Sequence, residues 1–148
     1  MSVRPAELKD CLSILNWRND SLARTMSRNE DLIDTNSHMI WYAKALTNLD
    51  KYLLVGEILN VPFGMVRFDR ILPEQNWEVS ITVAPNYRGK GLSKQLLASA
   101  INSFTRKFPE AGIVADIKPD NVISRKLFEV SGFNYYSGDE HMLRYFYQ

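Results

Sequence analysis

The chain is poor in the residues that carry thiol and metal chemistry. It has one cysteine, Cys11, and two histidines in 148 residues. A single cysteine excludes an internal disulfide and favours a reducing compartment. With no histidine or second cysteine near it in sequence, Cys11 is expected to be a buried, inert thiol. No apolar run approaches the ~20 residues that a membrane span requires. The first ten residues, MSVRPAELKD, lack the apolar stretch of a secretory leader. These absences make a cytoplasmic location the expectation. The net charge of +1 offers no electrostatic footprint for nucleic acid or an anionic membrane, so neither is expected as a partner. No metal is expected. Repeats, low-complexity tracts and linkers are missing too, which points to one domain over residues 1–148.

What remains is the composition of an ordinary soluble domain, 45% hydrophobic and 24% charged. Residues 3–6 read as a strand. Leu8, Leu12 and Leu15, with Cys11, then mark one face of a helix ending near Trp17, Arg18 and Asn19. A polar stretch runs to Asp34. Thr35 or Asn36 can cap a second helix, with Met39, Ala43 and Leu46 on one face. Residues 52–59 and 63–71 read as strands around an Asn60-Val61-Pro62 turn. Residues 77–83 form the next strand, stopped by Pro85. Leu92, Leu96, Leu97, Ala100, Ile101, Phe104 and Phe108 recur at helical spacing and predict a core-facing stripe. A short apolar strand at 113–117 and a helix from Asn121 to Gly132 follow, and residues 134–147 read as a terminal hairpin.

The most informative segment lies between the strand at 77–83 and the helix at 92. Arg88, Gly89, Lys90 and Gly91 place two glycines and two cations at that turn. Glycines let a backbone approach a ligand closely and turn its N–H groups toward it. The helix start adds unpaired N–H donors and the positive end of its dipole. Such a turn suits a phosphate or pyrophosphate. The Walker spacing Gly-x-x-x-x-Gly-Lys-Ser/Thr is absent, and a third glycine for Gly-x-Gly-x-x-Gly is missing after Gly91.

The segment resembles the pyrophosphate loop of the GCN5-related N-acetyltransferases, Arg/Gln-x-x-Gly-x-Gly/Ala, with Arg88, Gly91 and Ser93 in the patterned positions. Ser93 departs from the usual Gly or Ala but is small. Some thirty residues on, Asn121, Ser124, Leu127, Phe128, Gly132 and Phe133 are similar to the family's second pattern, Asn-x-x-Ala/Ser-x-x-Leu-Tyr-x-x-x-Gly-Phe. The resemblance implies an α+β (mixed α/β) fold. Its central twisted mixed sheet has about seven strands, splayed between the fourth and fifth and flanked by about four helices. It also implies acetyl-CoA as co-substrate and transfer of acetyl to an amine, and it leaves a homodimer open.

On that resemblance the cofactor contacts are the main chain of Ile81, Thr82 and Val83, the loop Arg88, Gly89, Lys90, Gly91, Leu92 and Ser93, and then Asn121 and Lys126. Asn121 has an equally good reason to exist as a helix cap, and Lys126 as a solvated lysine. Glu78 is the candidate general base, because a carboxylate within an apolar strand is unusual unless paired or functional. Its structural alternative is a pair with Arg67. Phe128 stands where many members carry a tyrosine that protonates the departing thiolate, and phenylalanine has no proton to give.

The N-terminal third is expected to close over the acceptor. Its clusters Trp17-Arg18-Asn19-Asp20 and His38-x-x-Trp41-Tyr42 look like segments of the pseudaminic-acid-pathway enzymes that acetylate nucleotide-linked amino sugars. Trp17, Trp41 and Tyr42 would supply aromatic faces, Arg18 and Arg67 cations for a diphosphate, and Asn19 and His38 further contacts. For Trp17 and Trp41 a core position, and for His38 a structural hydrogen bond, are the competing roles. The leading expectation is therefore acetylation of a nucleotide-linked amino sugar. A protein N-terminus or lysine as acceptor, and a non-catalytic acyl-CoA-binding module, stay open beside it.

Overall fold

The computed structural model describes residues 1–73 and 75–147. β1 (Ser2–Pro5) leads through a 3-10 turn at Leu8–Asp10 into three helices, α1 (Cys11–Asn19), α2 (Ser21–Met26) and α3 (Thr35–Thr47). A meander follows: β2 (Lys51–Ile58), β3 (Val61–Ile71) and β4 (Asn76–Val83). Then come α4 (Leu92–Lys107), β5 (Gly112–Ile117), α5 (Val122–Val130), β6 (Phe133–Gly138) and β7 (Leu143–Tyr147). All strands lie in one sheet of order β1-β2-β3-β4-β5-β7-β6. The β4–β5 pair is parallel and the other neighbours are antiparallel. A parallel pair needs a crossover, and α4 supplies it.

This is the expected mixed sheet flanked by helices, with one helix more. The addition is α2, inside the stretch read as merely polar; Asp20 caps it by accepting from the Ala23 N–H at 3.2 Å. Among the described residues no helix is long and apolar enough to cross a membrane.

β4 and β5 pair over only three positions, Asn76↔Gly112, Trp77↔Ile113 and Glu78↔Val114. Beyond Glu78 the strands part, so the sheet forks there. Cross-strand partners share a face, and this sorts the side chains. Lys51, Leu53 and Val55 of β2 lie on one face with Met65, Arg67 and Asp69 of β3 and Glu78, Ser80 and Thr82 of β4. The same face continues through Val114 and Asp116 of β5 to Arg144 of β7. α1 and α3 cover its apolar end through Ile14, Trp17, Tyr42 and Ala45 packed on Leu53, Val55 and Met65.

The opposite face carries the larger core. Leu96, Leu97, Ala100, Ile101 and Phe104 of α4 are all buried there, as the stripe predicts. Phe104 stacks on Phe68 with centroids 4.2 Å apart. A Cβ on Gly56 or Gly64 would lie 2.6 or 2.8 Å from a Leu96 methyl, so this glycine pair sets how closely α4 rests on the sheet. Each such buried Leu or Phe contributes roughly 1.5–3 kcal/mol, which makes α4 a rigid mount for the loop before it.

The N-terminal helices are rotated relative to the expected faces. Leu15 is buried as expected, but Leu8 and Leu12 are exposed, and Ile14 and Trp17 complete the buried face of α1. On α3 Met39 and Ala43 face solvent, while His38, Tyr42 and Ala45 are buried. Both helices carry polar or aromatic residues on the buried side, so a count of aliphatics alone misses the phase. The cap of α3 is Asp34, which accepts from the Ser37 N–H at 3.0 Å, rather than Thr35 or Asn36. The β2–β3 turn falls on Leu59 and Asn60, both at positive φ, as a two-residue hairpin turn requires. Val61 and Pro62 already belong to β3, with Pro62 at a bulge opposite Glu57.

Candidate active site

The fork and the loop before α4 open toward one another. Pro85–Tyr87 form a 3-10 turn after β4, and Gly89 and Gly91 both take φ of 74°. An L side chain is strained there, so glycine is the residue that allows this path. Gly91 is the N-cap of α4 and offers no side-chain cap, which leaves the first-turn N–H groups of Leu92 and Ser93 to a ligand. A Cβ on either glycine would meet nothing within 4 Å, so the cradle opens onto space. An anion fits it.

The fork supplies a second set of backbone groups. Ala84 N–H donates to the Phe63 carbonyl at 2.7 Å, across from β3. Alternation then turns the main-chain groups of Thr82 toward β3 and those of Ile81 and Val83 into the gap. Of the three residues expected to offer main-chain contacts, Ile81 and Val83 therefore keep their groups off the β3 ladder, and Thr82 is spent on it. The unpaired β4 edge and the glycine loop together fit an extended thioester cofactor with a pyrophosphate.

Arg88 does not point freely at this cradle. Its Nη1 lies 2.7 Å from Asp20 Oδ2, on the cap of α2, and the guanidinium holds that carboxyl below the usual range. Lys90 lies over the Tyr87 ring with Nζ 5.7 Å from its centroid. Asn121 caps α5, accepting from the Ser124 N–H at 3.1 Å, and Lys126 is exposed on the same helix. Phe128 is buried, edge-on to Phe133 at 4.9 Å, and so belongs to the core.

Glu78 sits at the last paired position of the fork, on the α1 and α3 face. Its partner is not Arg67, which lies opposite Ser80 and pairs with Asp69 at 2.9 Å. Arg28, from the strap between α2 and α3, reaches Glu78 instead, with N–O distances of 2.8 and 3.0 Å to its two oxygens. The same guanidinium contacts Asp116 Oδ2 at 2.5 Å, so it bridges β4 and β5 across the fork. Arg144 grips Asp116 from the other side at 2.8 and 2.9 Å. Burial opposes it, but Arg144 and Arg28 together hold the Asp116 carboxyl below its ordinary value. The strap is fastened by Lys118, which donates to the Thr25 carbonyl at 2.9 Å and to Glu30 at 2.8 Å. Asn19 secures its far end by accepting from the Ile33 N–H and donating to the Ile33 carbonyl.

The remaining acceptor-side residues gather around Trp41. The Arg18 and Arg67 guanidinium carbons lie 5.1 and 5.2 Å from its ring centroid and Lys51 Nζ 6.0 Å. Asp69 pairs with both Arg67 and Lys51. Three cations thus surround the ring and two of them share the one carboxylate, leaving a local charge of +2. Arg18 makes no hydrogen bond or ion pair among the described residues. Burial, then the Arg67 charge, bring it down to about 10, so it remains a cation at neutral pH. Trp17 is buried in the core beneath. His38 is buried too and donates from Nε2 to the Cys11 carbonyl at 2.9 Å; burial holds it below the ordinary imidazole value.

Arg28, Asp116 and Arg144 are the residues that sequence reasoning missed, and Asp20, expected on the acceptor side, is instead the partner of Arg88. Asp116 carried the same signal as Glu78, a lone carboxylate in an apolar strand. Arg28 carried none, because it lies in a polar stretch without periodicity.

Comparison with known proteins agrees with this geometry. The chain matches the model of the acetyltransferase (GNAT) family over residues 12–133. It is 30% identical over 138 residues to the L-methionine sulfoximine/L-methionine sulfone acetyltransferase of Salmonella typhimurium, across 90% of this chain and 80% of that protein. The structure of YncA from Salmonella typhimurium with acetyl-CoA superposes with a TM-score of 0.80 at 27% identity, covering 99% of this chain and 91% of that one. A spermidine N-acetyltransferase from Vibrio cholerae, in complex with CoA and spermine, shares the fold with a TM-score of 0.87 at 19% identity, covering 98% and 93%. Members of this family use acetyl-CoA, and the chain is an acyltransferase enzyme. It belongs to the GNAT family of N-acetyltransferases.

Proposed function

We propose that the protein acetylates the primary amine of a small acceptor that also bears an anionic group, with a free amino acid as the acceptor class. The observation that carries this reading is Arg18, a largely buried guanidinium without an ion-pair partner among the described residues, beside Arg67 on the Trp41 ring. A buried cation left unpaired is costly, and a bound carboxylate would complete it. The named activity of the Salmonella relative, on methionine sulfoximine and sulfone, supports the same class.

In this reading the acceptor lies on the α1 and α3 face with its carboxylate at Arg18 and Arg67 and its amine at the fork. Acetyl-CoA supplies the activated acetyl group. The N–H groups of Ile81 and Val83 stabilise the tetrahedral oxyanion in this reading, a contribution of about 10²–10³ in rate. Glu78 draws the proton from the attacking amine, directly or through water. With Phe128 in the core, departure relies on the thiol's own acidity, ~8.5 for an ordinary thiol.

A nucleotide-linked amino sugar is the second reading. Three cations around a half-buried tryptophan also suit a diphosphate and a ring. A mass-spectrometric panel of free amino acids, UDP- and dTDP-linked amino sugars, and peptides with free N-termini separates the two. Amino acids are expected to be acetylated and peptides refused. Acetylation of peptides alone would overturn both readings.

A further inference from the structure

We propose that Arg28 is a specificity-determining residue: it occupies a cation seat formed by Glu78 and Asp116 across the fork, and so excludes polycationic amines from the acceptor side. This rests on the reading of the α1 and α3 face as the acceptor side.

The seat is defined by two carboxylates on different strands, at the point where β4 and β5 separate. Asp116 is already satisfied by two bonds from Arg144. Glu78 has Arg28 as its ion-pair partner on this face. Without Arg28 the fork would present an anion beside the place where an acceptor amine must arrive. A second ammonium on the acceptor could then settle there. With Arg28 in place, that ammonium meets a guanidinium instead, in addition to the excess positive charge around Trp41. Selectivity of this kind is built by repulsion as much as by attraction.

The pairing is one of several fastenings of the strap, since Lys118 and Asn19 secure it on either side. Arg28 is 59% exposed while Glu78 and Asp116 are 20% and 7% exposed, so the guanidinium end of the pair is open to solvent and screened there. The same fold accommodates spermine in the Vibrio cholerae neighbour, so the architecture itself does not forbid a polyamine.

The test is titration calorimetry of spermidine into the CoA-saturated protein. Arg28→Ala is expected to bind spermidine about tenfold or more tightly than the wild type. Arg28→Lys, which keeps the charge, should bind as weakly as wild type. Adding Glu78→Gln to Arg28→Ala should remove the gain, which locates it at the fork. Should Arg28→Ala fold poorly by circular dichroism, Arg28→Gln takes its place with the same readout. Equal spermidine affinity in wild type and the neutral variant, or a gain in Arg28→Lys as large as that in Arg28→Ala, would overturn the proposal. Binding is read without turnover, so failure to acetylate any amino acid would count against the proposed function and leave this comparison intact.

Discussion

On the α4 side of the sheet the site is made of backbone; on the α1 and α3 side it is made of side chains drawn from distant segments. The cofactor cradle needs two glycines at positive φ, an uncapped helix start and a strand edge with no neighbour. Its geometry is therefore local and mounted on a packed core. The acceptor side depends on pairs such as Arg28–Glu78, Arg88–Asp20 and Lys118–Glu30, which join residues 50 to 88 positions apart. A backbone site can be shared by a whole family, because any sequence that makes the turn makes the site. A side-chain site can be rewritten by single substitutions, and substrate choice belongs there.

Mutations separate the two halves. The largest effect is expected at the cradle. Gly91→Asp places a carboxylate where an anion binds, and acetyl-CoA affinity should fall about a hundredfold or more by calorimetry, with the circular dichroism spectrum retained. Glu78→Gln should do the reverse. It should leave acetyl-CoA affinity intact and lower kcat by about 10²-fold at neutral pH. That deficit should shrink as pH rises and free amine accumulates; a deficit independent of pH would remove Glu78 from the role of base. Phe128→Tyr touches neither half. It should change turnover by less than about tenfold, a barrier change below about 1.4 kcal/mol, because the ring lies in the core.

A smaller effect sharpens the acceptor side. His38 is held below the ordinary imidazole value in the folded protein, chiefly by burial. The unfolded chain therefore takes up a proton near pH ~6.5 that the folded chain refuses. Stability should fall as pH drops through that value and level off once the folded group protonates as well. His38→Gln keeps a donor toward the Cys11 carbonyl and removes the titration. Its Tm should consequently change less between pH 7.5 and 5.5 than that of the wild type. An equal change would assign the slope to other groups.

The same division explains what the sequence made legible. The succession of strands along the chain, the α4 stripe, the glycine loop and the Asn121 cap rest on periodicity or on residues adjacent in the chain, and the structure has them where expected. The fork at Glu78 followed from resemblance, and the register places that glutamate at its apex. The expected faces of α1 and α3 hold only in part, because Trp17 on α1 and His38 and Tyr42 on α3 fill buried positions that a count of aliphatics does not assign. Arg28 was invisible because its partners lie 50 and 88 residues away, and nothing in a polar strap announces which arginine will reach a strand. Asp116 was within reach of the argument used for Glu78. The expected Glu78–Arg67 pair failed on register alone, since Arg67 lies opposite Ser80 and Glu78 opposite Asp69.

The claim that an anionic group on the acceptor meets Arg18 and Arg67 is tested most directly by two acceptors that differ only in that group. L-methionine sulfone and its carboxamide carry the same amine and side chain. The wild-type enzyme is expected to favour the carboxylate by about 10- to 100-fold in kcat/KM, the range of a buried charged hydrogen bond. Arg18→Ala should erase most of that preference, mainly through KM. Equal acetylation of the two acceptors by the wild type, or an unchanged preference in Arg18→Ala, would contradict the account.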